Sequence, residues 1–442
     1  MALLDHPDAQ ALLNDATLTP QTVRSCRERL RRFLRRYLPR FYRNEQREHA
    51  ALVVRGLISG LERKTAEPIA ASAGVEHKNI QFFVGSGRWD DDAVLSELGR
   101  HVRRVLGEND AVLVLDPSAF PKKGTESCGV ARQWCGRLGK IENCQVGVFL
   151  AYSTRRATVL VDRRLFLPRE WAEDPRRRTK CHVPASVLFQ EKWQIALDLL
   201  NRSGPRLPHR WVVGDDELGR SAEFRAILRA RNEGYILDVP CNTQIRDLEQ
   251  RRPSRRHAGV GRKREVPFCR VDEWAARQCA SRWVHLVVRQ GEKGPVEVEA
   301  MTVRVKAKYA RRIGPEERLL VVRTVEAHPK VDYSLSNASS EVGLSELVRV
   351  RAHRYWIESA LGSSKGEAGL AHYEVRSWVG WHHHMTLALL ASWFLVLERT
   401  RVGGENPGSD GAADPAHLQP VAPAALGEVG SDRGGSDACA AA

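Results

Sequence analysis

Two acidic residues each follow a short apolar run, and this placement could support metal-dependent chemistry. Asp116 follows "AVLVL", and Asp215 follows "WVVG". In α/β sheets, functional sites collect at the carboxyl ends of strands. Two carboxylates on neighbouring strands could bind a hard divalent cation such as Mg²⁺, which prefers oxygen ligands. Taken singly, each aspartate is better explained as a strand-end cap or a turn residue.

A third acid, Glu358, lies in a segment whose spacing predicts a helix over 350–367. Four residues of this segment fall on one helical stripe at i, i+4, i+7 and i+11: Arg354, Glu358, Leu361 and Lys365. A helix packed on the sheet would direct Glu358 at the two aspartates, with both cations of the stripe available for phosphate groups. The alternative is a solvated face with helical ion pairs. The neighbouring residues 355–357 are Tyr, Trp and Ile, which favours a partly buried helix.

Other acids lie close to the chosen ones. Asp216 and Glu217 adjoin Asp215, which we prefer because it follows the apolar run directly. Glu367 is a rival of Glu358, but nine residues further along a helix it faces away.

Basic side chains and histidines accompany these acids. Lys122 and Lys123 follow Asp116 in a basic turn and are candidate phosphate contacts. The run 382–384 consists of three histidines. Consecutive helical residues point in different directions, so these three cannot share one metal. We interpret them as packing and DNA-contact residues.

Composition indicates a folded protein with a polyanionic partner. Hydrophobic residues make up 42% of the 442 residues, and the formal net charge is +15. The segment 402–442 carries −5, so the first 401 residues carry +20. Such a surplus suits nucleic acid, with the Arg-rich segments 24–47 and 251–264 contributing. A compositional bias of the genome is the alternative explanation. It accounts for the preference for arginine over lysine, but not for the excess of basic over acidic residues.

The sequence has no clear signal for membrane insertion, secretion or zinc binding by cysteine. No apolar run approaches the roughly 20 residues that span a bilayer. The start, "MALLDHPDAQ", lacks the order of a signal peptide. The nine cysteines contain no C-x2-C pair, which disfavours a zinc ribbon. Their odd number, without a secretion signal, favours reduced thiols. We predict a cytoplasmic protein without a membrane partner.

The N-terminal segments have helical spacing. We predict helices over these ranges: 24–42, 48–61, 64–75 and 77–87. Short helices interrupted near a glycine are compatible with a helix-turn-helix DNA reader. An ordinary helical bundle with a basic surface explains the same pattern equally well.

The middle of the chain alternates between strand-like and helix-like segments. Predicted strands cover 111–116, 144–152, 157–167, 210–216 and 235–240, and predicted helices cover 185–200 and 221–234. This order indicates a mixed α/β sheet. A basic loop at 251–266 and strand-like residues 280–325 follow, and helices return between 350 and 400.

The pattern divides the chain into five regions. They are a helical, DNA-binding region (1–108), the first part of the sheet core (109–240), a β-rich insertion (241–345), a helical completion of the core (346–401) and a disordered tail (402–442).

Several stretches together resemble the DDE (Asp/Asp/Glu) transposases of bacterial insertion sequences. "LDPSAFPKKG", "VVGDDELG" and "GLAHYEVRSWVGWHHH" are similar to blocks of one subgroup, and the similar blocks span most of residues 50–400. The group's signature Y-x2-R-x3-E-x6-K maps onto Arg351, Arg354, Glu358 and Lys365. At the first position of the signature this chain has Arg351 instead of tyrosine. In the family that tyrosine is thought to help position DNA phosphates. An arginine could do so by its charge but not by stacking in the same way.

The resemblance implies a fold and a chemistry. The fold would be an RNase H-like mixed α/β core with a β-rich insertion, which explains the 142 residues between Asp215 and Glu358. Asp116, Asp215 and Glu358 would hold two Mg²⁺ ions, or Mn²⁺ as a substitute, with Asp116 bridging them. Water would be the nucleophile for nicking and a DNA 3′-hydroxyl for joining. The partner would be double-stranded DNA, as transposon ends and target, and a homodimer on paired ends is compatible.

Two other functions fit part of the pattern. One is a transposase-derived DNA-binding protein that has lost catalysis, against which the intact acidic set argues. The other is an RNase H-like nuclease acting on RNA or branched DNA, against which the β-rich insertion and the helical N-terminal region argue.

Overall fold

The computed structural model describes residues 20–250, 265–291, 294–310 and 312–401. Within them the chain forms two compact units. The first unit comprises 20–109, 116–208 and 357–401, and the second comprises 110–115, 209–250, 265–291, 294–310 and 312–356. The predicted tail 402–442 and nearly all of the predicted basic loop 251–266 lie outside the described residues.

The helices are numbered in chain order. In the first half they are α1 (Pro20–Arg35), α2 (Asn44–Leu57), α3 (Ala66–Ala73), α4 (His77–Gly85), α5 (Asp91–Leu106), α6 (Arg169–Ala172), α7 (Pro175–Lys180) and α8 (Lys192–Ser203). Further along they are α9 (Asp216–Gly219), α10 (Ala222–Ala230), α11 (Val271–Ala276), α12 (Leu344–Gly366) and α13 (Trp378–Arg401). No helix in this described part is long and apolar enough to cross a membrane.

The strands are numbered in the same way. They are β1 (Val112–Pro121), β2 (Ala131–Cys135), β3 (Lys140–Ser153), β4 (Thr158–Leu165), β5 (Trp211–Gly214), β6 (Gly234–Val239), β7 (Gln244–Asp247), β8 (Cys269–Arg270), β9 (Val284–Gly291), β10 (Gly294–Tyr309), β11 (Arg312–Thr324) and β12 (Val331–Ser336).

In the first unit, helices surround a buried helix and an antiparallel set of strands. β3 pairs antiparallel with both β2 and β4. Helix α13 packs against β4, α2 and α4. Its residues 380–391 are all buried, because apolar or small side chains and three hydrogen-bonded histidines occupy every side of the helix. Helix α1 is amphipathic, with Leu30 and Phe33 buried between exposed arginines.

In the second unit, short parallel strands continue into a long antiparallel set. β1 and β6 both pair parallel with β5. The antiparallel order is β6–β12–β11–β10–β7–β8, and β9 pairs with β10. Apolar residues of β6, β7, β10, β11, β12 and α11 form one core cluster.

The fold is mixed α/β and consistent with an RNase H-like core, as the sequence predicted. The strand-like residues 280–325 form β9, β10 and β11, and the predicted helix 350–367 is α12. Two predictions are wrong. Helix α8 begins at Lys192 rather than at 185, because Glu191 and Gln194 form a capping box at that point. Asp116 does not end a strand, because β1 continues to Pro121.

The continuation of β1 has a local cause. The backbone N–H of Lys122 donates to the carbonyl of Asn143 on β3 at 2.9 Å, and the Asn143 side chain donates back to the Lys122 carbonyl at 2.7 Å. These bonds hold the chain extended beyond Pro117, which a strand tolerates where its missing N–H is not needed.

Candidate active site

On three neighbouring strands, the parallel pairing ends at a residue that an acid follows directly. Leu115 of β1 pairs with Gly214 of β5, and Gly214 pairs with Leu237 of β6. The next residues along the chain are Asp116, Asp215 and Asp238. Asp238 was missed in the sequence, although "YIL" followed by Asp repeats the pattern of an apolar run ending in an acid. An acid follows the last parallel pair on each strand.

Asp116 lies inside β1 and is 9% exposed. A buried carboxylate is expensive unless it is hydrogen-bonded, paired with a cation or bound to a metal. Its placement in a strand fixes the backbone on both sides, which suits a residue that must hold a ligand in a defined geometry.

Asp215 is half-buried and caps helix α9. Its carboxylate accepts a hydrogen bond from the Leu218 N–H at 3.0 Å. The sequence suggested a strand-end cap or a turn residue, whereas the structure shows a helix N-cap, which orients the carboxylate after β5. The rival Asp216 is exposed and pairs with Arg220 at 3.2 Å.

Glu358 is exposed on a helix that is partly buried, as the sequence predicted for α12. Ile357 and Leu361 are 0% and 3% exposed. Seven residues after Glu358, the Lys365 ammonium donates to Ser118 Oγ at 2.8 Å and to the Ala119 carbonyl at 3.3 Å. In the first unit, this face of α12 is thus held against the part of β1 that follows Asp116.

The rival Glu367 has a different setting. It follows the last residue of α12 and is exposed. Its carboxylate pairs with Arg399 of α13 at 3.4 Å. It therefore lies off the stripe that carries Glu358 and Lys365.

Arg351 and Arg354, predicted DNA contacts, meet at Asp238 in the second unit. Arg351 forms a two-pronged pair with Asp238 at 3.0 and 3.1 Å and a further ion pair with Asp332 at 3.0 Å. Arg354 reaches Asp238 at 3.3 Å. At the position where the transposase signature has tyrosine, the arginine thus joins α12 to β6 and β12.

The two lysines after Asp116 differ in their surroundings. The Lys122 ammonium lies 3.4 Å from the centre of the Tyr373 ring and donates to the Tyr373 carbonyl at 3.2 Å. Burial lowers the pKa of Lys122 to about 8. Lys123 is exposed to solvent. Of the two, Lys123 is the one whose ammonium faces solvent.

The three consecutive histidines are packing residues. His382, His383 and His384 are 8%, 1% and 5% exposed, and each has a ring nitrogen within hydrogen-bonding distance of a backbone carbonyl. Burial lowers their pKa values to about 3, 4 and 4. The packing interpretation is confirmed, and the DNA-contact interpretation is wrong because these side chains are buried.

The donor chemistry of the predicted carboxylate set suits Mg²⁺, since all its ligands would be oxygen atoms. Among the residues that the structure describes, no group of three or more His, Cys, Asp and Glu side chains is close enough to hold a metal. The convergence of Asp116, Asp215 and Glu358 stays a prediction.

Comparison with known proteins identifies the family. A family model described as DDE superfamily endonuclease matches residues 36–295, more than half of the chain. The chain belongs to the DDE superfamily endonucleases. The matched range contains Asp116 and Asp215 and ends before Glu358.

A curated relative points in the same direction. The chain is 26% identical over 196 residues to the probable transposase for insertion sequence element IS701 of Microchaete diplosiphon. The similarity covers 44% of this chain and 49% of that protein, so the chain spans about half the length of the curated relative it matches.

Proposed function

We propose that the protein is a DNA transposase, which cleaves the ends of an insertion sequence and joins them to target DNA. The observation that carries the proposal is the endonuclease family match over 36–295, which contains two of the three predicted acids. The similarity to the IS701 transposase supports it, as does the +20 charge of residues 1–401.

The chemistry would be an in-line displacement at phosphorus. Asp116, Asp215 and Glu358 would hold two Mg²⁺ ions, or Mn²⁺ in their place, which activate the attacking oxygen and stabilise the leaving one. The N-cap bond from Leu218 restricts the rotation of Asp215. The Lys365 contacts with Ser118 and Ala119 restrict the helix that carries Glu358.

Cations of the chain would bind the DNA backbone around the reacting phosphate. Lys365 and Arg354 share the helical stripe of Glu358. Lys122, Lys123 and Arg351 are the further phosphate contacts in this proposal. Such contacts position the backbone without reading its sequence. The substrate would be double-stranded DNA in the cytoplasm, with a homodimer bringing two ends together.

Asp215 also suggests a second candidate function. Its capping bond with Leu218 gives the carboxylate a structural reason to be present even without catalysis. A transposase-derived protein that only binds DNA would retain this cap. The two functions therefore differ in cleavage and not in DNA binding.

A plasmid assay separates the candidates. The substrate would carry the DNA that flanks the gene, incubated with Mg²⁺, with Mn²⁺ or with a chelator. We expect nicking at the element ends, and joined products on a second plasmid, only when a divalent ion is present. DNA binding without nicking under any condition would favour the binding protein. Cleavage of an RNA–DNA hybrid but not of the ends would favour the RNase H-like nuclease.

A further inference from the structure

Helices α3 and α4 of the first unit are joined by a tight three-residue turn. Gly74 ends α3 with a φ of +67°, a left-handed conformation that glycine adopts without strain. The N–H of Val75 donates to the Ala70 carbonyl at 3.1 Å. Glu76 caps α4 through the Lys78 N–H. Two short helices separated by a glycine-containing turn have the element order of a helix-turn-helix.

The buried side of this pair is distinct from its outer side. Ile69 and Ala70 of α3 are buried, as are Ile80, Phe83 and Val84 of α4. These residues pack with α2 into a three-helix group. The packing fixes which face of α4 remains available to a partner.

The outer face of α4 carries side chains that can read base edges. Lys78, Asn79, Gln81 and Phe82 are exposed, and Phe82 is 67% exposed. Asn and Gln can form two hydrogen bonds to adenine in the major groove, Lys can bond to guanine, and an apolar ring can contact the thymine methyl group. The spacing i, i+1, i+3 and i+4 covers the first turns of the helix, which enter the groove in helix-turn-helix proteins.

Helix α1 of the same unit has a basic exposed face. Its exposed arginines are Arg27, Arg31, Arg32 and Arg35. Arg31 pairs with Glu28 at 3.1 Å. Arg27, Arg32 and Arg35 are exposed, so their guanidinium groups can reach phosphates.

We propose that α4 is a recognition helix that enters the major groove of duplex DNA and reads its base sequence through Asn79, Gln81 and Phe82. The arginines of α1 contact phosphates and add affinity without specificity. This inference rests on the proposed transposase function, in which the site that α4 reads would lie in the ends of the element. It adds the surface that contacts the bases, called here the reading surface: the exposed residues Lys78, Asn79, Gln81 and Phe82 of α4.

A selection experiment tests the reading surface directly. The full chain is mixed with a pool of duplexes that have a random core of about two helical turns, roughly 20 base pairs. Bound duplexes are recovered over several rounds and sequenced. We expect the wild-type protein to enrich one motif. Recovery of the pool without any enriched motif would overturn the inference.

Single substitutions then assign the contacts. Gln81→Ala should weaken binding to the enriched site by about 5- to 150-fold, the range for loss of one two-pronged base contact, and leave binding to random duplex unchanged. Asn201→Ala is the matched control, because Asn201 is an exposed amide on α8. Gln81→Lys, which keeps a long polar side chain, should shift the preferred base at one position.

The outcomes distinguish the reading surface from a general DNA contact. An unchanged motif for both Gln81 variants and for Asn79→Ala would contradict the proposal. An equal loss on all sequences would also contradict it, because it would indicate a phosphate contact only. A circular dichroism spectrum and a melting temperature equal to those of the wild type show that each variant is folded.

Failure of the transposase function would look different. A protein that enriches a motif through Gln81 but never cleaves DNA would support the recognition helix and contradict the transposase. If the protein cleaves element ends while the α4 variants keep the wild-type motif, the transposase function is supported and the recognition helix is contradicted.

Discussion

The ammonium of Lys365 donates a hydrogen bond to Ser118 Oγ at 2.8 Å. Ser118 lies two residues after Asp116 on β1, and Lys365 lies seven residues after Glu358 on α12. Seven residues are about two helical turns, so Glu358 and Lys365 lie on one face of the helix. The bond therefore joins the helix face that carries one predicted catalytic acid to the strand that carries another.

Lys365→Met should slow DNA cleavage by roughly 100-fold, as expected for loss of a preorganised charged donor near the reacting phosphate. The substitution retains the apolar stem of the side chain. Ser118→Ala is the companion variant, because it removes the hydrogen bond and keeps the charge. Its cleavage rate should fall only about fivefold, since one hydrogen bond contributes about 1 kcal/mol. Cleavage at the wild-type rate by Lys365→Met would exclude a role for this lysine.

Arg351→Ala should destabilise the second unit by about 1–3 kcal/mol, the cost of leaving partly buried polar groups without a partner, because Arg354 still pairs with Asp238. Arg351 is 15% exposed, and its loss leaves Asp238 and Asp332 without their shared cation. The measurement is the free energy of unfolding in urea. Arg220→Ala is the control, because Arg220 and Asp216 form an exposed pair and should contribute less than about 1 kcal/mol. Equal effects of both variants would contradict the structural role of Arg351.

The buried histidines predict a loss of stability in mild acid. Burial lowers the pKa values of His382, His383 and His384 from 6.5 to about 3, 4 and 4. Above pH 6.5 both the folded and the unfolded chain carry these side chains neutral. As the pH falls from 6.5 towards 4, only the unfolded chain binds protons. The free energy of unfolding therefore falls, by up to about 1.4 kcal/mol per pH unit for each histidine.

Urea unfolding at pH 7.5, 6.5, 5.5 and 4.5 would measure this slope. His383→Gln should make it shallower, because an amide does not titrate. His328→Gln is the control, since His328 is exposed, and it should leave the slope unchanged. A free energy of unfolding that is constant between pH 6.5 and 4.5 would contradict the buried, neutral state.

Gly74→Ala should destabilise the helix-turn-helix by about 1–2 kcal/mol. The cost comes from the backbone alone, because a Cβ at Gly74 meets no atom within 4 Å while φ is +67°. Gly60→Ala is the control, because Gly60 also has open space and lacks a positive φ. Thermal unfolding that ranks the two variants equally would contradict the left-handed turn.

The sequence predicted elements better than it predicted contacts between them. The helical stripe of Glu358 and Lys365 follows from local spacing, and α12 confirms it. The end of β1 is predicted wrongly because the apolar run stops at Asp116, whereas the bonds between Lys122 and Asn143 keep the chain extended beyond it. Those bonds join residues 21 positions apart. A pattern confined to one segment does not contain them.

Asp238 shows the same limit at the candidate site. The β5–β6 register places Asp238 beside the end of β5, and Arg351, which lies 113 residues away in the sequence, pairs with it. The sequence placed Arg351 on the DNA because the transposase signature has a phosphate contact there. The structure adds the ion pairs with Asp238 and Asp332, and β12, which carries Asp332, was not predicted.

Cleavage by Glu358→Gln tests the central claim most directly. The amide keeps the volume of the side chain and removes the charge, and an amide oxygen is a poorer ligand for Mg²⁺. Glu367→Gln is the matched control, because Glu367 pairs with Arg399 off the stripe. Both are assayed for nicking of a labelled element end with Mg²⁺ or Mn²⁺, beside a gel shift on the same fragment. We predict that Glu358→Gln binds but does not nick, and that Glu367→Gln does both. Nicking by Glu358→Gln at the wild-type rate would contradict the three-carboxylate site.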